Sequence, residues 1–172
     1  MNATRRPMTA MVLAVLITAF PTRRLAAMQP DNRDDVFALI SRLLSALPFE
    51  RRTIESLLGA VLRLTGENEY FFFFEGQGRK LVDGLAIQGV DFRQSKSNPR
   101  KALLAFQVHG LCVPLRDVRA RYGELELVNA PRGRSLDEET SHSVVQAGVR
   151  IGFGFNQRNP DCLASVVLEP IA

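Results

Sequence analysis

The stretch that decides the fold is VRIGFGFNQRNPDCLASVVL, residues 149–168. Apolar side chains occupy every second position of its first half: Val149, Ile151, Phe153 and Phe155. This spacing places them on one face of a β-strand. Residues 156–161 have the composition of a turn, and residues 163–168 are again apolar. The stretch therefore predicts a terminal β-hairpin whose four alternating side chains face the core.

The other face of the same strand is almost bare. It carries Gly148, Gly152 and Gly154, interrupted only by Arg150. Glycine weakens a strand, so a bare face favours close packing of another element, and close approach of a partner backbone is the alternative.

The N-terminal part has the three- and four-residue apolar spacing of helices. A first helix is predicted from about residue 30 to residue 47, with Pro48 after it. A second is predicted from about residue 50 to residue 64, with Gly66 as its terminator. The short connection between them predicts an antiparallel helix pair.

From residue 70 onward the apolar period changes to two. An aromatic strand at residues 70–74 is predicted to be buried on both faces or to present an aromatic surface. Further strands are predicted at residues 81–94, with a bulge at Gly89, at 104–108 and near 125–127, and a short helix after Pro114. Helices followed by strands indicate an α+β fold. We expect an N-terminal antiparallel helix pair packed on an antiparallel sheet of five or six strands with a C-terminal hairpin.

Residues 1–27 have the layout of a signal peptide. Arg5 and Arg6 precede the apolar run Met8–Phe20, and a helix breaker and small residues follow. The run is shorter than the roughly 20 residues of a membrane span. Two arginines, at positions 23 and 24, oppose export and leave open that Met28 is the true start. Residues 28–172 are predicted to form one α+β domain, in which no internal repeat is evident.

The basic charge of the chain belongs to this leader. The whole chain has 22 lysines and arginines against 18 acids, a net charge of +4. Without the four leader arginines, 18 bases remain against 18 acids. Composition therefore gives no support to nucleic acid as a partner.

The expected oxidation state of the two cysteines depends on the compartment. In an oxidising compartment Cys112 and Cys162 are predicted to form one disulfide, which would tie the middle of the sheet to its end. In the cytosol they would be buried thiols. The pattern of ligand residues predicts no metal site and no cofactor.

Catalytic motifs are absent from the sequence. His142 lies near Glu138 and Glu139, and a general base held by a carboxylate is one interpretation. A solvated loop histidine beside surface acids is the interpretation that we favour, because no nucleophile motif accompanies it. His109 is interpreted as a packing or edge residue.

The most charged segment, residues 131–139, is predicted to be a loop. Arg132, Arg134, Glu138 and Glu139 are our candidate binding residues, because guanidinium groups on a loop over a rigid sheet suit recognition of carboxylates or phosphates. A solvated surface face is the alternative.

We therefore expect a small periplasmic or secreted, non-enzymatic module that binds a protein partner, such as an immunity or inhibitor protein that blocks an enzyme. A cytoplasmic α+β ligand-binding or regulatory domain starting at Met28 is the second hypothesis. A small hydrolase that uses His142 with Glu138 or Glu139 is the third.

Overall fold

The computed structural model describes residues 35–98 and 100–171, so the predicted leader, residues 1–27, lies outside the described residues. The described part has three α-helices: α1 (Val36–Ser45), α2 (Arg51–Leu58) and α3 (Leu115–Tyr122). Its strands are β1 (Arg63–Glu67), β2 (Phe71–Gly76), β3 (Ala86–Ser95), β4 (Ala102–His109), β5 (Glu126–Asn129), β6 (Glu139–Gln146), β7 (Val149–Asn156) and β8 (Ser165–Pro170).

Local signals set the ends of the two N-terminal helices. The Asp35 carboxylate accepts the Ala38 N–H at 2.6 Å and caps the start of α1. The second helix ends earlier than predicted, because Gly59 adopts the left-handed conformation at φ 59°. A β-carbon at Gly59 would also crowd the Arg79 side chain. The prediction that α2 continues to residue 64 is therefore wrong, and β1 begins at Arg63 instead.

The eight strands form one antiparallel sheet in the order β1-β2-β3-β4-β8-β7-β6-β5. Residues 63–109 and 126–170 thus form two four-stranded meanders that join where β4 pairs with β8. A helical segment precedes each meander, so the fold has a topological repeat that the sequence does not reveal. Both outermost strands are irregular: the pairing register shifts between Leu64 and Gly66 in β1 and between Leu127 and Asn129 in β5.

One face of the sheet, here called the inner face, carries the core. A row of directly paired residues crosses five strands on this face and is buried throughout: Phe74, Phe92, Leu104, Leu168 and Ile151. The helices pack on the same face. Tyr122 of α3 contacts Phe153 at 5.0 Å between ring centroids, Phe37 of α1 contacts Tyr122 at 6.0 Å, and the Arg51 guanidinium of α2 lies over Phe74.

The opposite, outer face has small residues at its centre. Ala105, Val167, Gly152 and Ser143 are directly paired neighbours across β4, β8, β7 and β6. Larger side chains lie on either side of them, and several of these are exposed to solvent: Glu75, Arg93, Gln107, Arg150, Glu169 and Glu126. The outer face is therefore open over much of its area.

The sheet has eight strands, and the prediction of five or six is wrong. It omitted β1, whose residues were assigned to the second helix, and β6, whose sequence Glu-Thr-Ser-His-Ser was assigned to a loop. Polar residues form β6 because the outer face needs no apolar side chains there. The bulge is confirmed: β3 shifts register between Gln88 and Asp91, and Gly89 has φ 52°. The C-terminal hairpin of β7 and β8 is also confirmed.

Cys112 and Cys162 form a disulfide, with their Cα atoms 5.0 Å apart. Cys112 follows β4 and Cys162 precedes β8. We predicted that this bond joins the middle of the sheet to its end, and that prediction is wrong, because β8 is last in sequence but lies beside β4 in the sheet. The disulfide therefore closes a 50-residue separation between two strands that are already neighbours.

Phe153 is fully buried on the inner face, as the alternation predicts, and Arg150 is exposed. Replacing Phe153 by alanine should lower the free energy of unfolding by about 3–5 kcal/mol, because it leaves a cavity beneath α3. Val145→Ala is the matched control, since Val145 is 59% exposed and surface changes cost about 0.5 kcal/mol or less. Urea denaturation followed by circular dichroism measures the free energy of unfolding of both variants. If the two variants were equally stable, the assignment of the two faces would be contradicted.

Candidate functional site

The connection between β5 and β6, residues 130–138, is here called the arginine loop. Its conformation is fixed by a carboxylate at its own end: Glu138 Oε2 accepts the backbone N–H of Arg132 at 2.6 Å and of Gly133 at 2.9 Å. Gly133 has φ 76°, a conformation that glycine adopts at low cost. The loop is therefore closed on itself by two charge-assisted hydrogen bonds.

A second set of contacts holds the arginine loop against the β7–β8 connection. Arg158 donates to Asp137 through Nε at 2.6 Å and through Nη2 at 3.2 Å. These hydrogen bonds and the charge of Arg158 lower the pKa of Asp137. The Arg158 N–H also donates to the Leu136 carbonyl at 3.1 Å. Because Cys162 lies in the same connection, the disulfide and the arginine loop belong to one linked set of loops.

Arg132 and Arg134 are exposed on this loop. No salt bridge within the described residues involves either guanidinium. Arg132, Glu138 and Glu139 line a hollow of about 350 Å³ together with Asn129 and the backbone that follows it, whereas Arg134 does not line it. The structure thus brings three of the four predicted binding residues to one hollow and leaves both guanidinium groups available.

Glu139 has a structural contact on the outer face. Its Oε2 accepts the Ser165 hydroxyl at 2.6 Å, across β7. A β-carbon at Gly154 would overlap this carboxylate, so Gly154 is required for the contact. Gly148 has no atom near the position of a β-carbon, and Gly152 has only ordinary contacts there. Close approach of another group therefore explains one of the three glycines on the bare face. That glycine is Gly154, and the approaching group is the Glu139 carboxylate.

His142 is buried, and the prediction that it is a solvated loop residue is wrong. It lies on β6 and pairs with Leu127 and Phe153 on the inner face, while Glu139 lies on the outer face. Glu138 is occupied by the backbone of the arginine loop. The structure therefore does not assemble the histidine–carboxylate pair of the hydrolase hypothesis.

The environment of His142 disfavours its charged form. Burial, with a smaller contribution from the positive charge of Arg119, lowers the pKa of His142 below its ordinary value of 6.5. The Nδ1 atom has no hydrogen-bond partner in the described part of the chain. Protonation would therefore place an unpaired charge beside a cation.

A depression on the outer face, here called the aromatic pocket, was not predicted. Its volume is about 550 Å³, and its walls include side chains from five neighbouring strands: Phe71, Phe73, Arg93, Leu103, Arg150 and Glu169, with Lys101 and Ile171 at its border. Only the aromatic surface of β2 was among the sequence predictions. The other residues come from distant parts of the chain and gave no signal.

The Glu138 carboxylate is expected to order the arginine loop. In Glu138→Ala, the Arg132 and Gly133 amides should exchange hydrogen about tenfold faster, since each lost hydrogen bond contributes roughly 0.5–1.5 kcal/mol. Glu138→Gln retains an oxygen acceptor and should preserve most of the protection. Amide exchange by NMR measures both variants. Unchanged protection in Glu138→Ala would show that the loop is ordered by other contacts.

The buried histidine predicts a loss of stability at acid pH. The folded-state pKa of His142 is lowered, so the folded protein favours the neutral imidazole. The stabilisation from this neutral side chain is complete above about pH 6.5, and it decreases as the pH falls from 6.5 toward the folded-state pKa. His142→Gln should flatten this part of the stability profile, whereas His109→Gln should retain it because His142 is still present. Thermal unfolding between pH 8 and 5 measures the profiles. The same slope in all three proteins would exclude His142 as its origin.

Within the described residues, no helix is long and apolar enough to cross a membrane, and no three histidine, cysteine or acidic side chains converge as metal ligands. The chain matches no protein-family model, no curated protein and no solved structure. Function is therefore inferred from the geometry of the described residues.

Proposed function

We propose that this chain is an exported, non-enzymatic binding protein that holds a partner protein through the arginine loop, as an inhibitor or immunity protein would. The observation that carries this proposal is the fixed loop with two available guanidinium groups. Arg132 and Arg134 are exposed and free of salt bridges among the described residues, while the backbone beneath Arg132 is held by Glu138. A loop that is already ordered loses little conformational entropy on binding.

The charge of the loop indicates the chemistry of the partner. Exposed arginines bind carboxylates in two-pronged geometry and are enriched among residues that dominate protein interfaces. The acids of the loop do not neutralise these arginines, because Asp137 pairs with Arg158 and Glu138 with the backbone. The complementary surface is therefore acidic or of mixed charge.

The disulfide and the leader support an exported location. A disulfide persists in an oxidising compartment and is rare in the cytosol. Together with the signal-like residues 1–27, the bond between Cys112 and Cys162 supports a periplasmic or secreted location. It argues against the cytoplasmic domain that would start at Met28.

A charge reversal of both loop arginines tests the proposal. Arg132→Glu with Arg134→Glu should abolish capture of the partner from a periplasmic extract of the source organism, because attraction becomes repulsion. Arg52→Glu with Arg116→Glu is the matched control, since these exposed residues of α2 and α3 give the same change in net charge. Affinity capture followed by mass spectrometry identifies the proteins retained by each bait.

Two measurements keep the result interpretable. Both double variants should unfold within about 0.5 kcal/mol of the parent protein, as exposed substitutions do. Association of the identified partner should slow as salt rises, because the field of exposed arginines is screened. Equal capture of the same partner by the parent protein and the loop variant would exclude the arginine loop as its binding surface.

A further inference from the structure

The aromatic pocket has the dimensions of a small-molecule site. Neighbouring strands lie roughly 4.8 Å apart, so the five strands from β2 to β7 span roughly 19 Å. One depression of about 550 Å³ receives side chains from all five, which makes it a broad trough on the outer face. This volume lies within the roughly 300–1,000 Å³ of pockets that hold small ligands. The pocket shares no lining residue with the arginine loop.

Apolar side chains form part of the floor of the pocket. Phe73 of β2 and Leu103 of β4 flank Arg93 of β3 in directly paired positions, and Phe71 lies two residues before Phe73 on the same face. These three apolar side chains are half-buried, and Ile171 at the border is 47% exposed. A flat or extended apolar group would cover them from solvent, which is favourable through the hydrophobic effect.

Among the described residues, the charges of the pocket leave one positive charge without a salt bridge. Arg93 donates to Asp91 through Nε at 3.1 Å and Nη2 at 2.7 Å, which holds its guanidinium near the Phe73 ring. Arg150 donates to Glu169 at 3.3 Å. Lys101 is exposed and forms no salt bridge with any described residue. Two neutralised arginines and one available ammonium favour a ligand with a single negative charge.

We propose that the aromatic pocket binds an amphiphilic monoanion, in which one carboxylate or sulfonate head pairs with Lys101 and an apolar chain or ring covers Phe73 and Leu103. A dianionic head such as a phosphate monoester is a poorer match, because Glu169 and Asp91 already compensate both arginines. The ligand is a free amphiphile, such as a fatty acid or an aryl carboxylate, rather than an anion embedded in a membrane.

Fluorescence titration provides a direct test, and the absence of tryptophan gives a low background. The probe is 1-anilinonaphthalene-8-sulfonate bound to the folded protein, which carries an aryl body and one anionic head. Laurate below its micellar concentration should displace it, whereas dodecyltrimethylammonium, with the same chain and the opposite charge, should not. Displacement by both surfactants alike would overturn the proposal, because it would indicate apolar adsorption without a charge-selective site.

Variants locate the site. Lys101→Glu should weaken laurate binding about tenfold, since one attractive contact becomes repulsive. Lys80→Glu, at an exposed position outside the pocket, should leave the affinity within about twofold, because long-range screened charge contributes little. Phe73→Ala should also weaken binding about tenfold, with circular dichroism confirming that the variant is folded.

The outcomes that contradict the proposal are distinct. Parent affinity in both Lys101→Glu and folded Phe73→Ala would place laurate elsewhere and overturn it. Binding to phosphatidylglycerol vesicles without displacement of the probe by laurate would also overturn it, in favour of a membrane surface. None of these results depends on capture of a protein by the arginine loop, so failure of one proposal leaves the other testable.

Discussion

The pairing of β4 with β8 is the interaction on which the rest of the molecule depends. Four positions, from Leu104 opposite Leu168 to Gln107 opposite Ser165, join two meanders into one sheet. The inner face is continuous only because this short ladder aligns the buried row from Phe74 to Ile151. The disulfide between Cys112 and Cys162 lies beside the same junction. In the chain-entropy description, a closed loop of this length stabilises a fold by roughly 4 kcal/mol.

The same junction creates the aromatic pocket and supports the arginine loop. The aromatic pocket combines residues of the first meander, such as Phe73, with residues of the second, such as Arg150, and neither half contains a complete set. The arginine loop belongs to the second meander, but it rests on the β7–β8 connection that the disulfide ties to the end of β4. A fold with one side covered by helices therefore presents an aromatic pocket on its open sheet face and a basic loop at the opposite end of the strands.

Sequence patterns predicted the elements in which apolar side chains mark one face. The alternation in β7, the glycine bulge in β3 and the helix after Pro114 are all confirmed. Strand β6 was missed because its outer positions include Ser141 and Ser143 and its inner positions include His142, a buried polar residue that breaks the apolar period. Strand β1 was missed because Val61, Leu62 and Leu64 continue a helical stripe that only the backbone of Gly59 interrupts. Local periodicity does not show whether tertiary packing places such a segment in a helix, a strand or a loop.

The candidate site was predictable only in its local part. The four charged residues of the segment after β5 were selected from composition, and the sequence could not show that Glu138 binds backbone or that Glu139 reaches Ser165. The aromatic pocket depends on strand order, since Phe73 and Arg150 become neighbours of one depression only after the second meander folds back beside the first.

The irregular edge strands have a consequence for behaviour at high concentration. An open sheet ends in two rows of unpaired backbone groups, which can recruit a strand from another molecule. Here β1 has five residues and β5 has four, and each contains a register shift that interrupts the row. Neither edge offers a long, straight template, even though Leu127 and Val128 of β5 are exposed. The sheet can therefore leave one face open to solvent without promoting edge-to-edge polymerisation.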